Sequence, residues 1–252
     1  MITTLDLNSD LGELPDGVEL DDALLSVVTS ANVACGGHAG DGESMARVCS
    51  TAVERGVAIG AQVSYVDRAG FGRVLLAVHP DELCAQVAEQ IATLQGHAER
   101  AGASVTYVKP HGALYHAAAT DAEVAEAVVA GIRAYGVPLP VLTLPSSALA
   151  AAAHTAGLSA FAEAFADRGY LPGGGLVSRG DAGALVTDPS NLRQRIDRLV
   201  SAQEIVAIDG TVLSTAPDSL CVHCDTPGAA DIAALVRADL EERGVRVAAF
   251  AS

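Results

Sequence analysis

The sequence predicts an α/β fold, a TIM-like (β/α) barrel, and three observations carry that expectation. Short β-branched runs alternate with longer, alanine-dominated helical stretches, the pattern of parallel βα units. Polar, glycine-containing turns separate the two kinds of segment at regular intervals. A chain of 252 residues is also a common length for a barrel built as one unit, so a single domain over residues 1–252 is expected.

Each element follows from its local pattern. Strands are predicted at residues 3–8, 30–35, 57–63, 105–110, 139–144, 159–164 and 219–223, and an eighth run at 245–250 leaves seven or eight strands open. Helices are predicted at 20–29, 42–55, 80–101, 121–135, 146–156, 189–199 and 229–243. Asp121, Ser146 and Asp188 read as N-caps, and Gly56, Gly102, Gly136, Gly157 and Gly244 fall where helices should stop. Two segments break the rhythm: a loop from Asp167 to Gly183, with glycines at 169, 173, 174, 175 and 180, and a run over 205–213. In that run Asp209-Gly210 predicts a hairpin at the edge of the barrel.

Composition narrows the function. Half the residues are hydrophobic and mean hydropathy is +0.33, yet no apolar run reaches the ~18 residues of a membrane span, so the hydrophobicity belongs to a core. The N-terminus has neither a basic nor an apolar signal region, and a cytoplasmic location is expected. A formal charge of −16 disfavours nucleic acid and anionic membranes, and makes each cation near a motif informative. The five cysteines, 35, 49, 84, 221 and 224, suit reduced thiols, and the lone Cys221-x-x-Cys224 pair lacks the second pair of a tetrahedral zinc site. No P-loop and no strand-linked G-x-G-x-x-G occurs.

In parallel barrels the C-terminal ends of the strands share one rim, where catalytic groups collect. Every polar cluster of this chain falls on that predicted rim: Asn8 to Glu13 after the first strand, Cys35 to Asp41 after the second, Ser64 to Arg73 after the third. Lys109 to Tyr115 follow the fourth, Glu163 to Arg168 the sixth and His223 to Asp225 the seventh. Taken singly, Asp10 and Asp41 read as loop or cap residues and His38 as a partner of the glycine-rich backbone. Together they mark a site.

Lys109 is the hardest to read as structural, because it ends an apolar strand where an ammonium must meet a carboxylate or an anionic ligand. Pro110 holds it extended. His111 suits general acid–base work, whereas His79, His97, His116 and His154 read as structural or exposed. Asp10 and His38 with a third ligand would make an open metal site, but no H-x-x-x-H pattern supports one. Arg73, Arg168, Arg179 and Lys109 are placed to hold a carboxylate or a phosphate.

Asp6-Leu-Asn-Ser-Asp-Leu-Gly-Glu13, Ser30-Ala-Asn-Val-Ala-Cys-Gly-Gly-His-Ala-Gly-Asp41, Val108-Lys-Pro-His-Gly-Ala-Leu-Tyr115 and Phe165-Ala-Asp-Arg-Gly-Tyr170 resemble the LamB/YcsF family. Leu176-Val-Ser-Arg179 and Cys221-Val-His-Cys-Asp-Thr-Pro-Gly228 continue the match over nearly the whole chain. The resemblance implies a seven-stranded barrel related to those of certain glycoside hydrolases and carbohydrate deacetylases. It also implies the role of the A subunit in an ATP-dependent 5-oxoprolinase, which opens 5-oxo-L-proline to L-glutamate as ATP becomes ADP and phosphate, with 5-oxoprolinase subunits B and C as partners. A homo-oligomer is compatible with it.

Under that implication Asp10, His38, Lys109 and His111 form the expected catalytic set. Asn8, Asn32, Ser64, Tyr65, Arg73, Tyr115, Glu163, Asp167, Arg168, Arg179 and His223 form the expected substrate-binding set. His111 or Asp10 would activate water, His38 would orient it or share the proton, and Lys109 with an arginine would hold the anion. ATP enters as co-substrate through the complex. Many relatives read Gly-Ala-His-Pro-Ser where this chain has Gly60-Ala61-Gln62-Val63-Ser64, and Gln62 is a poor transition-metal ligand. Cys224 stands where relatives commonly carry glycine. The competing expectations are a stand-alone metal-dependent deacetylase-like hydrolase and a non-catalytic substrate-binding subunit.

Overall fold

The computed structural model describes residues 2–251. In chain order the elements are β1 (Thr4–Leu11), α1 (Val18–Leu25), β2 (Ser30–Ala34), α2 (Gly42–Arg55), β3 (Ala58–Val63), α3 (Pro80–Arg100), β4 (Val105–Pro110), α4 (Gly112–Thr120) and α5 (Ala122–Tyr135). They continue with β5 (Val141–Thr143), α6 (Ala148–Thr155), β6 (Ala160–Phe165), α7 (Pro189–Ala202), β7 (Glu204–Val206), β8 (Val212–Ser214), β9 (Ser219–Val222), α8 (Ala229–Glu242) and β10 (Arg246–Val247).

The order β1-β2-β3-β4-β5-β6-β9 is parallel throughout and closes because β9 pairs with β1 from Asp6 to Ser9. That decides between seven strands and eight: β10 reaches only Thr4 and Leu5 of β1, outside the closed ring. Beyond β10 the Phe250 ring packs 4.8 Å from both Tyr107 and Phe161, early in their strands and so at the end opposite the predicted rim.

Side chains alternate across each strand. Leu5 and Leu7, Ala31 and Val33, and Ile59, Ala61 and Val63 join the hydrophobic layer shared with the helices. The alternate set, Asp6, Asn8, Asp10, Ser30, Asn32, Gln62, Lys109, Glu163 and Ser219, is buried and polar. These residues bond to one another across the barrel: Asn8 Nδ2 donates to Ser219 Oγ, Asn32 Nδ2 to Asn8 Oδ1 and Asp10 Oδ1, and Tyr107 Oη to Asn32 Oδ1. A polar interior of this kind persists only if each group has a partner.

The helices begin and end where the sequence places the signals. Asp41 caps α2 in a capping box with Ser44, and Asp121 and Asp188 cap α5 and α7. Gly56, Gly102, Gly136, Gly157 and Gly244 all take positive φ. One cap shifts: the Ser147 hydroxyl accepts from Ala150 N, while Ser146 takes φ +57 in the turn before it. Helix α4 is an addition, because Lys109-Pro110-His111-Gly112 reads as a turn but the helix starts at once after it.

The Asp209-Gly210 hairpin forms as β7 and β8, in a sheet separate from the barrel, with Ile208 N bonded to Tyr170 O of the glycine-rich loop. All five cysteines are free thiols. Among the described residues no helix is long and apolar enough to cross a membrane.

Candidate active site

The rim predicted from sequence opens into a cavity of about 350 Å³. Asp10, Lys109, His111 and Tyr115 reach it from β1, β4 and α4. Arg73 comes from the β3–α3 loop, Arg168 and Arg179 from the glycine-rich loop, and His223 from the end of β9. His116 also lines it, which corrects its reading as structural or exposed: helix α4 starts directly after His111 and carries His116 to the cavity wall.

Lys109 is the hub of the floor. Its Nζ lies 2.7 Å from Glu163 Oε1 and 3.3 Å from Asp10 Oδ1, and donates to Asn8 Oδ1 at 3.2 Å and Cys221 Sγ at 3.3 Å. Only 3% of the residue is exposed. Burial opposes its charge, but Asp10, Cys221 and Glu163 outweigh burial and hold its pKa well above the usual lysine value. Burial likewise opposes ionisation of Asp10, yet Lys109 first, then His223 and His111, keep that carboxyl well below the usual range. Tyr115 Oη donates to Glu163 Oε2 at 2.8 Å, fixing the second carboxylate. The expectation that Lys109 meets a carboxylate is met by two.

Beside this hub, Glu13, His38, Gln62 and His111 form a second cluster. Glu13 Oε1 lies 3.1 Å from His38 Nε2, 3.2 Å from His111 Nδ1 and 2.8 Å from Gln62 Nε2, and Cys224 Sγ donates to Glu13 Oε2. The two imidazoles stack with centroids 3.7 Å apart, and Phe71 stands edge-on to both. Burial pushes each imidazole pKa down to about 4 and raises that of Glu13. His38 pairs with Glu13, while Asp10, grouped with it as a candidate metal ligand in the sequence, pairs with Lys109.

The β3–α3 loop is pressed onto this cluster. Phe71 sits at φ +54, uncommon for a bulky residue, and its carbonyl accepts from His111 Nε2 at 3.1 Å. A Cβ on Gly112, itself at φ +57, would lie 2.4 Å from Gly72 O, so only glycine permits this approach.

A third group stands across the cavity. His223 Nδ1 lies 3.1 Å from Asp167 Oδ1 and must donate to it, because a carboxylate only accepts. Asp167 Oδ2 accepts from the His223 backbone N–H and the Thr226 hydroxyl. Although burial opposes it, His223 holds the Asp167 pKa down, and Phe165 stacks on the imidazole at 5.2 Å. This pairing fixes the tautomer and leaves Nε2 as the unengaged nitrogen.

At the mouth Arg73 and Arg179 both pair with Asp225, Arg179 at 2.8 Å. Arg168 plays a different part: its Nε and Nη2 donate to Ala184 O and Val177 O, closing the glycine-rich loop on its own start just beyond β6. Asn8, Asn32 and Glu163 support the floor from inside, Ser64 supports His38, and Tyr65 is buried in the hydrophobic layer away from the cavity.

Glu13 and Asp225 are site residues that sequence reasoning misses, although both lie within motifs that it uses. The available signal for Glu13 is its place beyond Gly12, whose φ of +71 turns the chain at the end of β1.

Comparisons place this geometry in a family. The LamB/YcsF family model matches residues 5–252. The A subunit of 5-oxoprolinase from Streptomyces coelicolor is 56% identical over 98% of this chain and all of its own length, and that of Mycobacterium avium is 49% identical over 98% of each. A lactam utilization protein from Thermus thermophilus superposes with a TM-score of 0.89 at 37% identity, covering 98% of this chain and all of its own. The chain belongs to the LamB/YcsF family.

Proposed function

We propose that this chain is the subunit of an ATP-dependent 5-oxoprolinase that binds 5-oxo-L-proline, or a form phosphorylated on its amide oxygen, and helps water open the lactam. The observation that carries this reading is the charge of the cavity. In a protein of formal charge −16, four cationic side chains, Arg73, Lys109, Arg168 and Arg179, line it, with Asp10 on its wall, Glu163 behind Lys109 and one carboxylate, Asp225, shared by two of the arginines. Such a cavity suits a small anion. The names of the relatives favour this reading over a stand-alone deacetylase.

In the reading, Arg73 and Arg179 share one carboxylate partner, Asp225, so a surplus positive charge at the mouth is available for the substrate carboxylate or a phosphoryl group. Water activation falls to His223, whose Nε2 is free while Asp167 holds Nδ1. His111 is less suited, since its two nitrogens face Phe71 O and Glu13. Water adds to the lactam carbonyl carbon, its proton passes to His223 Nε2, and the carbon–nitrogen bond breaks as that proton returns to the leaving nitrogen; from the phosphorylated form this yields γ-glutamyl phosphate, which a second water hydrolyses to glutamate and phosphate. Lys109 faces the oxyanion that develops in between. ATP cleavage, which phosphorylates the amide oxygen and releases ADP, is assigned to the assembly with subunits B and C.

The test is turnover of 5-oxoproline by the chain mixed with candidate partner subunits, parent against Arg73→Ala/Arg179→Ala and His223→Asn. The expected result is a raised KM for the arginine pair and a fall in kcat of about 10²-fold or more for His223→Asn. Unchanged constants for both would sink the reading. Substrate binding with kcat untouched by His223→Asn would identify a non-catalytic binding subunit.

A further inference from the structure

We propose that Glu13, His38 and His111 form a binding site for one divalent transition-metal ion of borderline softness, zinc or manganese. The proposal rests on hydrogen-bond accounting. His111 Nε2 faces Phe71 O, a pure acceptor, so Nε2 carries the hydrogen and Nδ1 is bare. Gln62 Nε2–H, 3.1 Å from that Nδ1, donates to it and agrees. Ser64 Oγ gives its hydrogen to Tyr65 O, so it can only accept from His38 Nδ1, and His38 Nε2 is bare as well.

Both bare nitrogens face Glu13 Oε1, at 3.1 and 3.2 Å. With Glu13 ionised, the two bare nitrogens and Glu13 Oε1 converge with no hydrogen of their own, and only the Gln62 amide donates to the carboxylate and to His111 Nδ1, so a cation at that point would relieve their repulsion. Their separations are close to the ~3.3 Å between neighbouring ligands of an ion bonded at ~2.1 Å.

The surroundings are those of a ligand set. Each imidazole donates its remote N–H to an oxygen, the contact that fixes the tautomer and ring orientation of metal-binding histidines. All three residues are buried, and the Gln62 amide stands against Glu13 and His111. Glu13 also borders a separate surface cleft with Gly12, Asp41 and Glu43, which supplies an entry route. The imidazoles lie parallel, so binding tilts one of them to aim its lone pair at the ion. Two nitrogens and a carboxylate oxygen select zinc or manganese over calcium or magnesium.

The experiment uses the full chain, stripped with chelator and titrated with zinc and, separately, manganese against a competing metal indicator. One equivalent should bind, and the side-chain ¹⁵N signals of two histidines should change at the nitrogens inferred to be bare. Glu13→Gln and His38→Asn, checked by circular dichroism, should each weaken binding at least about tenfold. Should either variant fail to fold, the titration and histidine signals of the parent decide alone. Absence of stoichiometric binding, affinity unchanged in both folded variants, or histidine signals showing a proton at these nitrogens throughout the titration would overturn the proposal. None of these readouts involves oxoproline, so the two proposals fail separately.

Discussion

Lys109→Met is the sharpest perturbation of the barrel floor. Methionine keeps much of the side-chain volume but removes the ammonium that lies 2.7 Å from Glu163 and 3.3 Å from Asp10. Each carboxylate then keeps one neutral donor, Asn32 for Asp10 and the Tyr115 hydroxyl for Glu163, and both stay buried. Breaking a buried pair by deleting one partner costs about 3–5 kcal/mol, and this cost should appear in urea unfolding at pH 7.5.

The pH dependence supplies the discriminating signature. In the parent the Asp10 pKa is depressed, so its stabilising contribution is present above the unfolded value of roughly 4 and is lost only below it. In the variant the largest influence opposing burial is gone, and only His223, His111 and the Asn32 donor remain against it, so the pKa rises and the folded state gains a proton on acidification. The gap between parent and variant should therefore narrow between pH 7.5 and 5.5, by up to about 1.4 kcal/mol per pH unit for each proton taken up. Adding Glu163→Gln removes the second stranded carboxylate and should recover part of the loss. A Lys109→Met protein within ~1 kcal/mol of the parent, or a gap constant with pH, would refute the hub described for this lysine.

Two further outcomes follow from the interior. Burial raises the Asp6 pKa to about 6 despite hydroxyl donors from Ser219, Thr29 and Ser30, so its ionisation costs folding stability as pH rises from about 4 to 6. The Asp6→Asn minus parent difference in unfolding free energy should grow in favour of the variant by about 3 kcal/mol across that window, measured by urea titration at several pH values. Arg168→Ala removes two donors to the Ala184 and Val177 carbonyls; limited proteolysis should then cut within the glycine-rich loop before the barrel is attacked, and uniform cleavage throughout the chain would contradict the clamp.

What the sequence determined by itself was whatever depends on local chemistry. The short run over residues 3–8 defines the first strand, which the structure extends to Leu11. The placement of Asp121 and Asp188 before helical runs, and of glycines after them, sets most helix boundaries. Lys109 stands out because a buried ammonium must have a partner, and that argument needs no coordinates. The barrel rule then puts the polar clusters on one rim.

Only the tertiary structure decided which groups meet. Asp167 and His223 lie 56 residues apart, and Lys109 and Cys221 lie 112 apart; no local pattern encodes such pairings. Seven strands rather than eight follow from the register of β9 on β1, a global closure condition. Position along the chain groups Asp10, His38, Lys109 and His111 as one set, with His111 or Asp10 to activate water. Folding instead turns Glu13 toward both histidines, commits Asp10 to Lys109 and leaves His223 with a free nitrogen over the cavity. A side chain's chemistry is a property of its residue, but its partners depend on how the closed barrel brings distant strand ends together, and partners decide protonation.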